Sequence, residues 1–396
     1  MSMLFEVHTD TDSPVTGYLV IDSSVSGESH GGLRIADDVT AERLQLAART
    51  MTLKYGWAGL PVGGAKAGLL MSPNTSDLDR ALMLRAFGRA IEPHLRTGAY
   101  VPGEDMGSTV DDIRAVLKAA GLKPKPRSLM YTASGVFTGV GVCATALAIA
   151  ESLDLPAKGL RVTIEGFGNV GASAARRFHS AGAKVVGIST IKGALYNENG
   201  LDVPALLSLR RRSGDDAVLD REFGDAAPSQ ALITLPADVF CPCANMHSIT
   251  IENVRSLQAR VVCPGANVPA TEEAEAVLDQ QQVVVVPDFV ANCGGVLGSS
   301  MSRAGLGRQE VTTILQQRAH DRTSLLILDA REQRLTLREL ATELALRRFA
   351  ETKERYERKT PARSLMRLAV GIYRRGLIPR PLLAPLGRRY YQSPLP

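Results

Sequence analysis

Residues 159–190, GLRVTIEGFGNVGASAARRFHSAGAKVVGIST, constrain this 396-residue chain more than any other stretch. The apolar run LRVTIE leads into Gly166-Phe167-Gly168-Asn169-Val170-Gly171, followed by an amphipathic stretch and a second apolar run. Glycines at that spacing let the backbone turn tightly and approach a pyrophosphate. The helix that opens there offers free N–H groups and a positive dipole end to the same anion. A glycine-rich turn in a plain α/β domain is the simpler alternative. Either way the unit predicts strand, helix, strand and hence a parallel sheet. Apolar runs at 237–243, 259–265 and 283–289, with a helical pattern at 271–281, extend it to a doubly wound α/β domain.

The second strand of the unit ends at Thr190, where a carboxylate usually binds the ribose hydroxyls of NAD. Thr190 and the nearby Lys192 instead tolerate or favour the phosphate of NADP, unless Lys192 is merely solvated.

Ahead of this unit the pattern predicts a half-buried strand at 17–24 and a helix at 38–60 capped by Thr40. A glycine turn and short strand at 61–73 and helices at 76–95 and 108–121 follow. Beyond Gly298 the pattern is helical, with a long Arg/Glu-laced run from 308 to 355. The pattern divides the chain into 1–130, an α/β unit; 131–300, the doubly wound dinucleotide-binding unit; and 301–396, an Arg-rich helical segment packing on the first domain. Charge follows this division. Residues 301–396 carry 20 Lys and Arg against 9 Asp and Glu, whereas the net charge of the whole chain is only +5.

The uncharged stretch 128–150 has the length of a membrane span. It is rich in Gly, Ser and Thr and runs into the strand–glycine unit, so it reads as a buried helix after a loop. Five scattered cysteines make no disulfide framework, and Cys241-x-Cys243 lacks the second pair a metal site needs. The N-terminus has neither a basic segment nor an apolar core, so no secretion signal is visible. The expectation is a cytoplasmic protein without metal.

Three further residues carry chemistry. Lys66 lies in Gly63-Gly64-Ala65-Lys66-Ala67-Gly68 between an apolar helix and an apolar strand. Desolvation there should lower its pKa and suit it to acid–base work. Lys54 ends the preceding helix, where a cation also suits the dipole. Asp105, next to Glu104 in VPGEDMGST, sits just before a helix, where a carboxylate has a purely structural use as well.

Taken together, MTLK (51–54), LPVGGAKAGLLMSP (60–73), GEDMGSTVDD (103–112), GFGNVG, CPGANVPAT (263–271) and PDFVANCGGV (287–296) resemble the glutamate/leucine/phenylalanine/valine dehydrogenases, collinearly over residues 17–300. The resemblance implies NAD- or NADP-dependent, reversible oxidative deamination of an L-amino acid to a 2-oxo acid and ammonia. It also implies that 1–130 is a substrate-binding and oligomerisation domain and 131–300 a Rossmann-like NAD(P)-binding domain, with the site in the cleft between them, in a homo-oligomer. By the same match Lys66 would activate the attacking water, Asp105 would exchange protons with the substrate nitrogen, and Lys54 would bind the α-carboxylate. Gly31 and Gly32 would line the substrate pocket. Ser134, Asn169, Ala244, Asn267 and Asn292 would join the glycine turn around the cofactor.

The departures concern specificity. His30 stands where glutamate enzymes carry a lysine and leucine enzymes an apolar residue. Imidazole favours aliphatic or neutral polar substrates at alkaline pH. Glutamate is the alternative substrate, and a non-catalytic regulatory paralogue the alternative role. The basic tail raises nucleic-acid or membrane binding, but packing on the first domain or a subunit contact accounts for it without either partner.

Overall fold

A computed structural model describes residues 2–9, 15–123, 133–219, 223–358, 372–373, 376–377 and 379–392. The first of its two sheets contains β1 (Met3–Thr9), β2 (Val15–Ile21), β3 (Ser29–Ala36), β4 (Gly63–Leu70) and β5 (Val101–Glu104). Their spatial order is β1-β2-β4-β3-β5, with β3 parallel to both β4 and β5. Parallel neighbours need a crossover, and α1 (Ala41–Ala58) supplies the one from β3 to β4. Thr40 caps α1 by accepting from the Arg43 N–H, and Gly59 ends it in the left-handed conformation.

The helical stretch at 76–95 divides into α2 (Asp77–Ala90) and α3 (Glu92–Thr97). Pro93 has no N–H with which to continue the first helix. Phe87 and Leu84 of α2 pack with Ile113 and Val116 of α4 (Val110–Ala119) over one face of the sheet. A fully buried side chain of this kind contributes about 1.5–3 kcal/mol. β1 was not foreseen, and β3 was foreseen only as a glycine motif.

α5 (Ser134–Ser152) leads into the second sheet. β6 (Arg161–Glu165), α6 (Asn169–Ser180) and β7 (Lys184–Thr190) form the glycine-turn unit. β8 (Gly193–Tyr196), α7 (Val203–Ser213), β9 (Asp225–Ala227), β10 (Val239–Pro242), β11 (Val261–Val262), α8 (Glu272–Gln280) and β12 (Val284–Val285) complete it. The order is β12-β11-β10-β6-β7-β8-β9. The first five strands are parallel, whereas β8 and β9 form an antiparallel edge. That edge amends the all-parallel expectation. Only Ile191 and Lys192 separate β7 from β8, and so short a link permits nothing but a hairpin.

α9 (Asp288–Ala291), α10 (Gly294–Arg303), α11 (Arg308–Gln333), α12 (Leu337–Glu357) and α13 (Arg380–Gln392) follow. The apolar α5 is buried against α6, α10 and α11, so its membrane-like length reflects a core position. α12 returns to α1 and crosses it at Gly56, where a Cβ would lie 2.1 Å from the Ala345 carbonyl oxygen. α13 reaches α10, and the buried Tyr391 hydroxyl lies 2.6 Å from Ser300 Oγ. The boundary expected near residue 130 and tail residues 359–371 lie outside the described residues.

Candidate active site

The two domains face each other across a cleft of about 170 Å3. Lys66, Asp105 and Arg34 line it from the first domain; Val170, Ala244 and Asn267 line it from the second. Lys66 lies within β4, Asp105 directly follows β5, and β3 runs between them. Their side chains nevertheless form an ion pair. Gly32 makes that possible, because a Cβ there would lie 2.7 Å from Asp105 Cβ and 2.8 Å from its Oδ2. The carboxylate crosses β3 through the space a side chain would fill. Gly31 has a different reason: its Cβ would lie 1.7 Å from the Ala65 carbonyl oxygen, so it holds β3 against the strand that bears Lys66.

Burial pushes the Asp105 carboxyl up, but the Lys66 ammonium, a hydrogen bond to it and the Met106 N–H outweigh burial and hold it below the usual range. Across the cleft, Lys54 Nζ donates to Asn267 Oδ1 at 2.8 Å. Asn292 Nδ2 donates to the same oxygen at 3.1 Å and to the Ala266 carbonyl at 3.0 Å. Lys54 is only 6% exposed. Burial brings its pKa down to about 8, with Asp288 opposing the shift and Lys66 adding to it. The sequence had not singled out Lys54 for a lowered pKa.

The glycine turn fits a dinucleotide. Gly166 adopts a positive φ of 85° with its missing Cβ against Ala244, and at Gly171 a Cβ would lie 1.9 Å from the Gly166 carbonyl oxygen. No side chain caps α6, which leaves its first N–H groups for an anion. Gly135, one residue after Ser134, packs on Asn169 at the turn. Asn292 Oδ1 is buried without a hydrogen-bond partner, an acceptor suited to a bound amide. NAD or NADP would thus be held by the turn, the α6 N-terminus and Asn292.

Three neighbourhoods differ from what the sequence suggested. Thr190 is buried, with its Oγ1 accepting from the Lys192 N–H. Lys192 pairs with Asp216 at 3.3 Å. Arg210 binds Asp215 at 2.8 Å, the Phe167 carbonyl at 2.8 Å and Asn169 Oδ1 at 3.1 Å. A Cβ at Gly168 would lie 3.7 Å from Asp215 Oδ2, so an acid does stand at the turn, supplied from beyond α7. His30 Nε2 is 2.5 Å from Glu28 Oε1, and its ring meets Tyr55 edge-on at 6.4 Å.

Sequence reasoning missed Arg34, Glu28, Asp215, Asp216 and Asp288. Arg34 had a signal: in a strand it shares a face with His30 and Gly32 by the period of two. Buried Asp288, which accepts from the Val268 N–H and lies 3.7 Å from Arg338, had none.

Residues 133–356 match the family described as Glutamate/Leucine/Phenylalanine/Valine dehydrogenase, and residues 1–120 match its dimerisation domain. The chain belongs to this dehydrogenase family. It is an amino-acid dehydrogenase, an oxidoreductase. The catabolic NAD-specific glutamate dehydrogenase RocG of Bacillus subtilis is 32% identical over 297 residues, 71% of this chain and 68% of that one. GudB of the same organism, a cryptic catabolic NAD-specific glutamate dehydrogenase, is 33% identical over 300 residues, 71% and 69% of the two chains. Among solved structures, the hetero-hexameric glutamate dehydrogenase of Thermus thermophilus in its Leu-bound form matches with a TM-score of 0.75. It is 25% identical, over 91% of this chain and 90% of that one. The L-tryptophan dehydrogenase of Nostoc punctiforme shares the fold, with a TM-score of 0.61 at 23% identity over 89% of this dehydrogenase and 96% of that one.

Proposed function

We propose that this dehydrogenase oxidatively deaminates an L-amino acid with a neutral side chain, using NAD in preference to NADP. The observation that carries the reading is the Lys66–Asp105 pair facing Lys54 and Asn267 across a cleft that ends at the glycine turn. Lys54 exchanges Asn267 for the substrate α-carboxylate. That contact and the Asp105 carboxylate orient the Cα–H bond toward the cofactor side. NAD, held by the glycine turn, the α6 N-terminus and Asn292, would supply the hydride acceptor for oxidation of Cα to the imine. Lys66, as the free amine once its own proton has passed to solvent, takes a proton from the water that adds to the imine carbon, and the ammonium so formed steadies the developing oxyanion. The Asp105 carboxylate takes the proton that the α-ammonium loses before Cα is oxidised and returns it to the nitrogen of the carbinolamine, so that ammonia leaves as the C–N bond breaks and the C=O bond forms.

The side-chain reading rests on His30 and Glu28. A carboxylate already occupies the imidazole, and it repels the second carboxylate of an acidic substrate. Neutral aliphatic amino acids should exceed glutamate by about tenfold or more in kcat/KM when NADH formation is followed across an amino-acid panel. Glutamate, favoured by Arg34 in the cleft and by the curated relatives, is the second reading, and a higher kcat/KM for it would establish that reading instead.

The cofactor reading rests on Asp215 and Asp216. Asp216 neutralises Lys192 and Asp215 neutralises Arg210, so neither cation beside the turn is left to pair with an added phosphate. NAD should therefore win by about tenfold or more in kcat/KM. The double variant Asp215→Asn, Asp216→Asn should close most of that gap; equal use of NADP by the wild type would refute the assignment. A cytoplasmic homo-oligomer is part of the proposal. Five free cysteines agree with a reducing compartment and the hexameric Thermus relative with an assembly of subunits, and light scattering on the protein purified alone tests whether one chain suffices.

A further inference from the structure

Trp57, the single tryptophan of the chain, closes α1 and is 3% exposed. Two arginines converge on it from different helices. The Arg348 guanidinium of α12 lies 5.2 Å from the centre of the ring, and that of Arg322 in α11 lies 6.0 Å from it. Arg322 Nη1 also donates to the Trp57 carbonyl oxygen at 2.7 Å. Arg348 Nη1 is buried and meets no acceptor. Arg318, four residues before Arg322 on α11, adds a third positive charge within electrostatic reach. Burial and then Arg348 bring the Arg322 pKa down to about 10.

Among the described residues no ionised acid pairs with Arg322 or Arg348, and only the face of the Trp57 ring meets them both. The Cys293 thiol faces Arg322, but burial pushes its pKa up to about 11 and keeps it neutral. Glu351 is near Arg348 but is exposed to solvent, and Arg347 beside it cancels its effect. The C-terminal dipole of α1 offers about half a negative charge, which Arg322 already uses. Among the described residues neither Arg322 nor Arg348 belongs to an ion pair. The chain beyond Glu357 contains no Asp or Glu. Like charges gathered in a buried place without a partner are strongly unfavourable. Guanidinium groups, with their donors in a planar fork, are also the groups that bind phosphate oxygens.

We infer that Arg322 and Arg348, set around the Trp57 ring, form a binding site for a small phosphate-type oxyanion, separate from the glycine turn and from Lys54. The inference does not depend on any role assigned to Lys66 or Asp105. Trp57 itself is the probe. Its fluorescence is followed in the intact protein with NAD+ saturating the dinucleotide site, so that the glycine turn does not take the anion. Inorganic phosphate and AMP are titrated separately, at an ionic strength held constant with sodium chloride.

The expected result is a saturable change that chloride does not reproduce, with the midpoint raised about tenfold in Arg348→Gln. A midpoint shared by phosphate and AMP identifies the free oxyanion as the ligand. A tighter midpoint for AMP identifies a nucleotide phosphate; both results uphold the site. A phosphate-dependent rise in Tm of the wild type, smaller in Arg348→Gln, is the second readout. The site is overturned if the wild type shows no saturation, if chloride gives the same curve, or if Arg348→Gln keeps the wild-type midpoint. It is equally overturned if phosphate has no effect while Arg348→Gln breaks the oligomer, since a neighbouring subunit then supplies the counter-charge.

Discussion

Lys66→Ala should lower kcat by about 10²–10⁴-fold and leave NAD+ binding nearly intact. The two effects separate because Lys66 stands on β4 of the first sheet, whereas the glycine turn follows β6 of the second. The substitution removes the cation that pairs with Asp105 and the base proposed for water. Asp105→Asn should cost a similar factor by leaving Lys66 buried beside a neutral amide. Steady-state turnover and NAD+ titration of both variants check this. Retention of more than a tenth of the wild-type kcat by either would refute the roles assigned to the pair. The Asp105 carboxyl, held low, stays ionised well below neutrality. The stability it contributes is present above the ordinary carboxylate pKa and is lost only as pH falls through its lowered value.

Lys54→Met should do two things in opposite directions. Substrate KM should rise by about a hundredfold, because the α-carboxylate loses its only proposed cation in a dry site. Stability at neutral pH should increase by about 1–3 kcal/mol. Burial lowers the Lys54 pKa from 10.5 to about 8, so the folded protein holds this proton less tightly than the unfolded chain does. A drop of that size corresponds to about 3 kcal/mol of destabilisation, fully present below pH 8 and relieved as pH rises from about 8 to about 10.5. Loss of the Asn267 hydrogen bond offsets part of the gain. Thermal unfolding of both proteins across that pH range is the measurement. A methionine variant that is less stable than the wild type at pH 7, or that keeps its KM, would show that Lys54 is a structural cation. Such an outcome would be a stability–function conflict resolved the other way.

The chain's local features were readable without coordinates. The strand, glycine turn and helix at 161–180, the Thr40 cap, the α2 start and the apolar α5 all depend on periodicity and on residues within a few positions of each other. The split at Ile91 was equally local, since Pro93 was in view, but the amphipathic pattern running through it concealed the break. β3 was harder. Glycines at 31 and 32 weaken a strand signal, and only the tertiary structure shows that each is there for a backbone or a carboxylate that passes through the space.

By itself the sequence determined the two-domain α/β architecture, the dinucleotide turn and the set of polar side chains available for chemistry, because these follow from spacing along the chain. Only the tertiary structure decided which of them meet. Lys54 finds Asn267 at a separation of 213 residues, and Lys192 finds Asp216 across the end of the sheet. Asp105 reaches Lys66 over Gly32, and two arginines reach Trp57 from helices more than two hundred residues away. Burial and pairing set the charge state of each of these groups. Both are properties of the packed chain, and the local sequence around a lysine or an aspartate does not specify them.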